Sequence, residues 1–289
     1  MSNAFLRHLS LAFLTGLSSY GCAVTTDPAG LTASESQAFE DDEQEGGGAP
    51  QGRVANSSAT LDGCVVLVTR YNNALTAATL QTFVPAPFAV SATGGMGTVH
   101  ITTWKCAEVS INGEARGAGF YTTAGIRLVA PDGDVAFNNT HYYQLFAHTD
   151  VGQLHGLQNA AGVPIDMWTS DDLSLVETAS GAARTATLFT SDGSLGSVAT
   201  ATTLLNPAAI PPGDNTIRTW WHERNDGNFS VVRINQHSPV WRQSQVAPVG
   251  SRTVTATGVL GAILGATSTP NQAGLGTGYA DINVKIVSR

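Results

Sequence analysis

Short runs rich in Thr, Val and aromatic residues, each closed by Gly, Pro or Asp-Gly, fill the chain from about residue 60 onward and restrict it to a sheet-based fold. Gly63–Arg70 contains Cys-Val-Val-Leu-Val, and Gly97–Ile111 and Gly119–Ala130 alternate as strands do. Leu173–Ala179, Thr185–Thr190, Thr216–His222, Phe229–Gln236, Thr253–Leu260 and Tyr279–Val287 read as further strands. Asp132-Gly133, Asp192-Gly193 and Asp226-Gly227 lie between such runs and suit hairpin turns. Only Leu75–Phe83 and Val151–Ala161 space their apolar residues for a helix face. Many short strands with two short helices predict a mainly β chain (a β-rich α+β class) folded as a closed or nearly closed β-barrel.

The first 22 residues are read as an export signal. Arg7 and His8 supply the positive end, Leu9–Leu17 is an apolar run too short to span a bilayer, and small residues follow. Cys22 after Gly21 fits lipoprotein processing, which would anchor the chain to a membrane by an acylated cysteine; cleavage after Ala23 with plain secretion is the alternative. Either route predicts an exported protein of the cell envelope or the medium. Residues 23–55 form a tether, with six acids between Glu35 and Glu45 ahead of Gly46-Gly47-Gly48. Those acids supply most of the net charge of −8, so residues 56–289 are nearer neutral. No basic patch suits a phosphate backbone, and nucleic-acid binding is not expected. In an oxidising compartment Cys64 and Cys106 either pair as a disulfide or remain buried thiols.

Three stretches in order resemble the acetoacetate decarboxylase family. Leu80–Val90 (LQTFVPAPFAV) resembles its helix leading into Val-Pro-x-Pro-Leu. Gly119-Phe120-Tyr121-Thr122-Thr123-Ala124-Gly125 resembles its Gly-x-Tyr-x-Glu-x-Gly strand. His141–Asp166 resembles a strand, a helix, and the segment ending Pro-Lys-Lys, here Pro164-Ile165-Asp166. The resemblance implies a barrel fold, an interior site, and a chemistry in which a desolvated lysine forms an imine with a β-keto acid. The residues for that chemistry are changed. Ile165 stands at the Schiff-base lysine, Asp166 at the adjacent cation and Thr123 at the glutamate.

The resemblance aims His100, Thr102 and Trp104 into the barrel, whereas hydrophobic alternation favours Val99, Ile101 and Thr103, which would carry Lys105 inward as a relocated amine. The other lysine, Lys285, is expected in solvent. Candidate ligand-binding residues are therefore His100, Thr102, Trp104, Tyr121, Thr123, Arg127, Ile165 and Asp166, with Arg127 suited to a carboxylate. Strand parity turns His141 and His148 to opposite faces unless a bulge intervenes, so with Asp150 and His155 they do not predict a metal centre. No cofactor is expected, and oligomer formation is left open. Three readings follow. The first is a non-decarboxylating barrel that binds a small carbonyl or carboxylate compound. The second is a lyase or hydratase using Asp166 or His100 for proton transfer. The third is a surface protein that keeps the barrel for stability alone.

Overall fold

The computed structural model describes residues 57–72, 75–136, 138–169, 172–180, 183–190, 198–203, 216–244, 258–264 and 272–289. The export signal with Cys22, the tether and the Asp192-Gly193 turn lie outside them.

The strands are β1 (Ser57–Tyr71), β2 (Val99–Cys106), β3 (Glu108–Ile111), β4 (Glu114–Ala115), β5 (Gly119–Arg127), β6 (Asn139–Thr149) and β7 (Ile165–Met167). They continue with β8 (Leu173–Ser180), β9 (Ala183–Thr190), β10 (Val198–Thr203), β11 (Thr216–Glu223), β12 (Phe229–Ser244) and β13 (Gln272–Val287). The helices are α1 (Ala77–Gln81), α2 (Gly152–Ala160) and α3 (Gly258–Leu264). Strands β13, β12, β11, β6, β5, β2 and β1 pair in that order, and β13 pairs with β1, which closes a ring of seven. Closure leaves none of the seven without a neighbour on either side. Strands β8–β10 form a separate three-stranded antiparallel sheet.

Two expectations need correction. Thr253–Leu260 reads as a strand in the sequence, yet Gly258–Leu264 is helical, and residues 253–257 lie outside the described ones. Leu260, Ile263 and Leu264 are buried at helical spacing, and that packing outweighs the local strand preference. The described residues thus hold three helices, and the first is shorter than Leu75–Phe83. Thr76 caps it, its hydroxyl accepting from the Thr79 amide at 3.1 Å.

The ring has two apolar cores. Its outer face buries Ile101, Ile126, Tyr143, Trp221 and Val231 against Leu80, Phe88 and α3. Its interior is filled at one end by Trp104, Tyr121, Val66, Leu154 and Ile165. Cys64 and Cys106 form a disulfide there, joining β1 to β2. Among the described residues no helix is long and apolar enough to cross a membrane.

Candidate ligand site inside the strand ring

Register fixes which side chains face inward. His100, Thr102 and Trp104 on β2 lie opposite Gly125, Thr123 and Tyr121 on β5, and the five of these that carry side chains are all buried. Val99, Ile101 and Thr103 face the outer side, so the inward set is the one the family resemblance implied. Lys105 is consequently outside. Its ammonium lies 5.7 Å from the Phe120 ring centroid and donates to the Leu175 carbonyl at 3.3 Å. Lys285 is exposed as well. The relocated-amine idea therefore does not survive.

Thr123 pairs with Ala147, which pairs with Ile165, so the three occupy one row across β5, β6 and β7. All are buried, among apolar neighbours. The next residue alternates outward: the Asp166 side chain is 78% exposed and lies 3.9 Å from His148. Asp166 as an interior ligand residue is thus corrected, because strand parity gives Ile165 the inner face. Tyr121 donates its hydroxyl to Gln158 of α2 at 3.2 Å, and burial holds its pKa above the usual value.

The opposite end of the ring is cationic. Arg70 Nε donates to His100 Nδ1 at 3.3 Å, so that nitrogen accepts and the proton of the neutral ring sits on Nε2. Nε2 then donates to Thr102 Oγ1 at 2.5 Å. The Tyr142, His100 and Trp220 rings form a triangular cluster, with Tyr142 centroid distances of 4.7 Å to each of the others and 5.8 Å between those two. Burial, then the charges of Arg218, Arg70 and Arg127, hold the His100 pKa well below its ordinary value, so the ring is neutral at pH 7.

Arg218 is the residue that sequence reasoning missed. It is 2% exposed and alternates with Trp220 on the inner face of β11. Its Nη1 donates to Gln236, while its Nε has no partner among the described residues. No described carboxylate pairs with it. Burial pushes its pKa down to about 10, and it stays protonated at pH 7. The available signal was its parity with Trp220 inside a strand already read as Thr216–His222.

On adjacent β6, the fully buried Gln144 amide has neither its donor nor its acceptor satisfied within the described residues, nor is Trp220 Nε1. Buried polar atoms in folded proteins are nearly always paired, so such a grouping marks a place built for something else. Arg127 ends β5 in an exposed position. With Arg70, Thr98, Thr140 and Tyr142 it walls a cavity of about 360 Å³ at this mouth of the ring.

One parity expectation changes here. An extra residue, Leu145, bulges from β6 between the pairs Ala124–Phe146 and Gly125–Gln144. His141 and His148 therefore share the outer face, where His141 accepts from Trp221 Nε1 at 3.1 Å and His148 stacks on Trp168. No set of three metal-capable side chains occurs among the described residues.

No protein-family model matches the chain, and no curated protein matches it. Solved structures do match. Acetoacetate decarboxylase from Legionella pneumophila subsp. pneumophila strain Philadelphia 1 aligns with a TM-score of 0.50 at 8% identity, over 88% of this chain and 98% of that one. An acetoacetate decarboxylase-like enzyme from Sphingomonas wittichii RW1 aligns with a TM-score of 0.47 at 10% identity, over 81% and 94%. The enduracididine biosynthesis enzyme MppR, solved with pyruvate, aligns with a TM-score of 0.46 at 12% identity, over 82% and 96%. At these identities the likeness is one of fold, and the chain has the acetoacetate decarboxylase-like fold.

Proposed function

We propose that this chain is an exported, non-decarboxylating protein of acetoacetate decarboxylase-like fold that binds a small organic carboxylate at the cationic end of its strand ring. The observation that carries the reading is Arg218, a buried guanidinium with no acid beside it among the described residues. A buried cation is expensive unless an anion accompanies it, and a guanidinium holds a carboxylate through two parallel hydrogen bonds. The Trp220 indole, two residues along β11, and the Gln144 amide, further along β6, are inner-face groups unpaired among the described residues and available to the rest of the ligand.

Imine chemistry has no donor. Ile165 carries no amine, and both lysines of the chain face away from the interior. The lyase or hydratase reading loses Asp166, which stands in solvent, and is left with His100, a buried and neutral imidazole. A purely structural role leaves the unpartnered interior polar groups without a purpose. Export and anchoring rest on the leader, Cys22 and the acidic tether.

The test is thermal unfolding of the purified protein against a panel of short keto, hydroxy and simple carboxylic acids. A ligand at 100 times its Kd stabilises by about 2.7 kcal/mol. Saturable stabilisation by an acid but not by its amide supports the reading, and an unmoved melting temperature across the panel removes it. Borohydride with a β-keto acid should leave the protein mass unchanged. Membrane association that is lost in Cys22→Ala supports the lipid anchor, and soluble wild-type protein refutes it.

A further inference from the structure

The cationic end holds more positive charge than one carboxylate neutralises. Arg218 lies inside on β11, opposite Thr140 of β6, and Arg127 stands at the mouth on β5, opposite Tyr142 of β6. Both flank the same strand on its inner side. Two strand spacings across and two residues along place their Cα atoms roughly 12 Å apart. Arginine side chains are long enough to span much of that gap, with Arg218 donating to Gln236 of β12 in the ligand-free protein. None of the described side chains lining the cavity beside Arg127 is acidic: they are Arg70, Asn72, Thr93, Thr98, Thr140 and Tyr142, with His100 against the Tyr142 hydroxyl. The groups acting on His100 are all cationic, which gives the same sign for the site.

We infer that the ligand carries two anionic groups, one held by Arg218 within the ring and the other by Arg127 in the mouth cavity, and is a short dicarboxylate of four or five carbons. This rests on the carboxylate-binding reading above and narrows it. The two ends have different tasks. Arg218 is buried, so its carboxylate is stripped of water and held by charge-assisted hydrogen bonds. Arg127 is exposed, so its pairing is screened and contributes discrimination rather than most of the affinity. The polar walls of the cavity, Thr98, Thr140 and Tyr142, leave no apolar slot for the tail of a fatty acid.

The experiment is calorimetric titration of the full chain with succinate, glutarate, monomethyl succinate, butyrate and inorganic phosphate. A diacid is expected to bind about tenfold more tightly than monomethyl succinate or butyrate, and the advantage should shrink as salt is raised. Arg127→Gln should bring the diacid down to the monoester and leave butyrate unchanged; its exposed position keeps the fold out of question. Arg218→Met should abolish binding of all the acids. Equal affinities for diacid and monoester overturn the dicarboxylate inference while leaving the carboxylate reading in place. Binding of no acid at all overturns both. Phosphate binding more tightly than either diacid also overturns the dicarboxylate inference.

Discussion

Replacing Arg218 by Met should make the ligand-free protein more stable. The guanidinium is buried, and burial lowers its pKa to about 10. Folding therefore disfavours the charged form at pH 7, by on the order of 3 kcal/mol. Methionine fills much of the same channel with an uncharged chain and removes that penalty. Against it stands the loss of the hydrogen bond to Gln236, about 1–2 kcal/mol. The net expectation is a gain of about 1–2 kcal/mol, or a rise in Tm of roughly 2–8 °C for a domain of this size. The assay is urea and thermal unfolding of protein dialysed free of small molecules, wild type beside Arg218→Met, with m checked for constancy. A loss of more than about 1 kcal/mol would show that Arg218 is a structural cation with its own partner, and the ligand site built on it would fall. A residue whose removal stabilises the fold and abolishes binding is retained for binding.

Reducing the Cys64–Cys106 disulfide should cost about 4 kcal/mol by the chain-entropy relation for a separation of 42 residues, read as a lower urea midpoint in reductant; a change below about 1 kcal/mol would contradict it. Acid should destabilise the protein from pH 6.5 downward. His100 and His222 both have folded pKa values below the ordinary one, so the unfolded chain takes up protons first, at up to about 1.4 kcal/mol per pH unit for the fully buried His100 and less for the partly exposed His222; stability unchanged between pH 7 and 5 would refute this. Ile165→Lys should destabilise by several kcal/mol at pH 7 and less at pH 10, because the apolar interior lowers the amine's pKa and Asp166 faces away; a gap to wild type that is the same at both pH values would place the new amine in solvent.

Much of the ring was legible because strand signals are local. Cys-Val-Val-Leu-Val lies within β1, and Asp226-Gly227 closes β11 onto β12 with Gly227 at φ +80°. The row Thr123–Ala147–Ile165 followed from three weak motifs in order, since motif spacing carries register. What stayed hidden depends on long-range pairing. Hydrophobic alternation pointed the wrong way on β2, because the outer face of this ring is itself a core under α1 and α3. Both faces are then apolar, and periodicity cannot choose between them. Arg218 was hidden for a related reason. A lone arginine between Ile217 and Thr219 reads as a solvent-facing residue until the buried Trp220 shows the parity to be inward. Asp166 erred by one position, which on a strand is a change of face.

The bulge at Leu145 divides β6 into two lengths with separate partners. Residues 139–143 pair with β11, and residues 147–149 pair with β7. Deleting Leu145 would make the pairs Ala124–Phe146 and Gly125–Gln144 directly consecutive, so each length would keep its faces and its own partner strand. Gly125 keeps the junction tight: a Cβ there would strike the Tyr143 carbonyl and come within 3.0 Å of the Trp220 ring. The wall of the ring is therefore modular at this joint. Changes to residues 139–144 alter the arginine-bearing mouth, and changes beyond the joint alter the apolar chamber around Ile165 and Thr123.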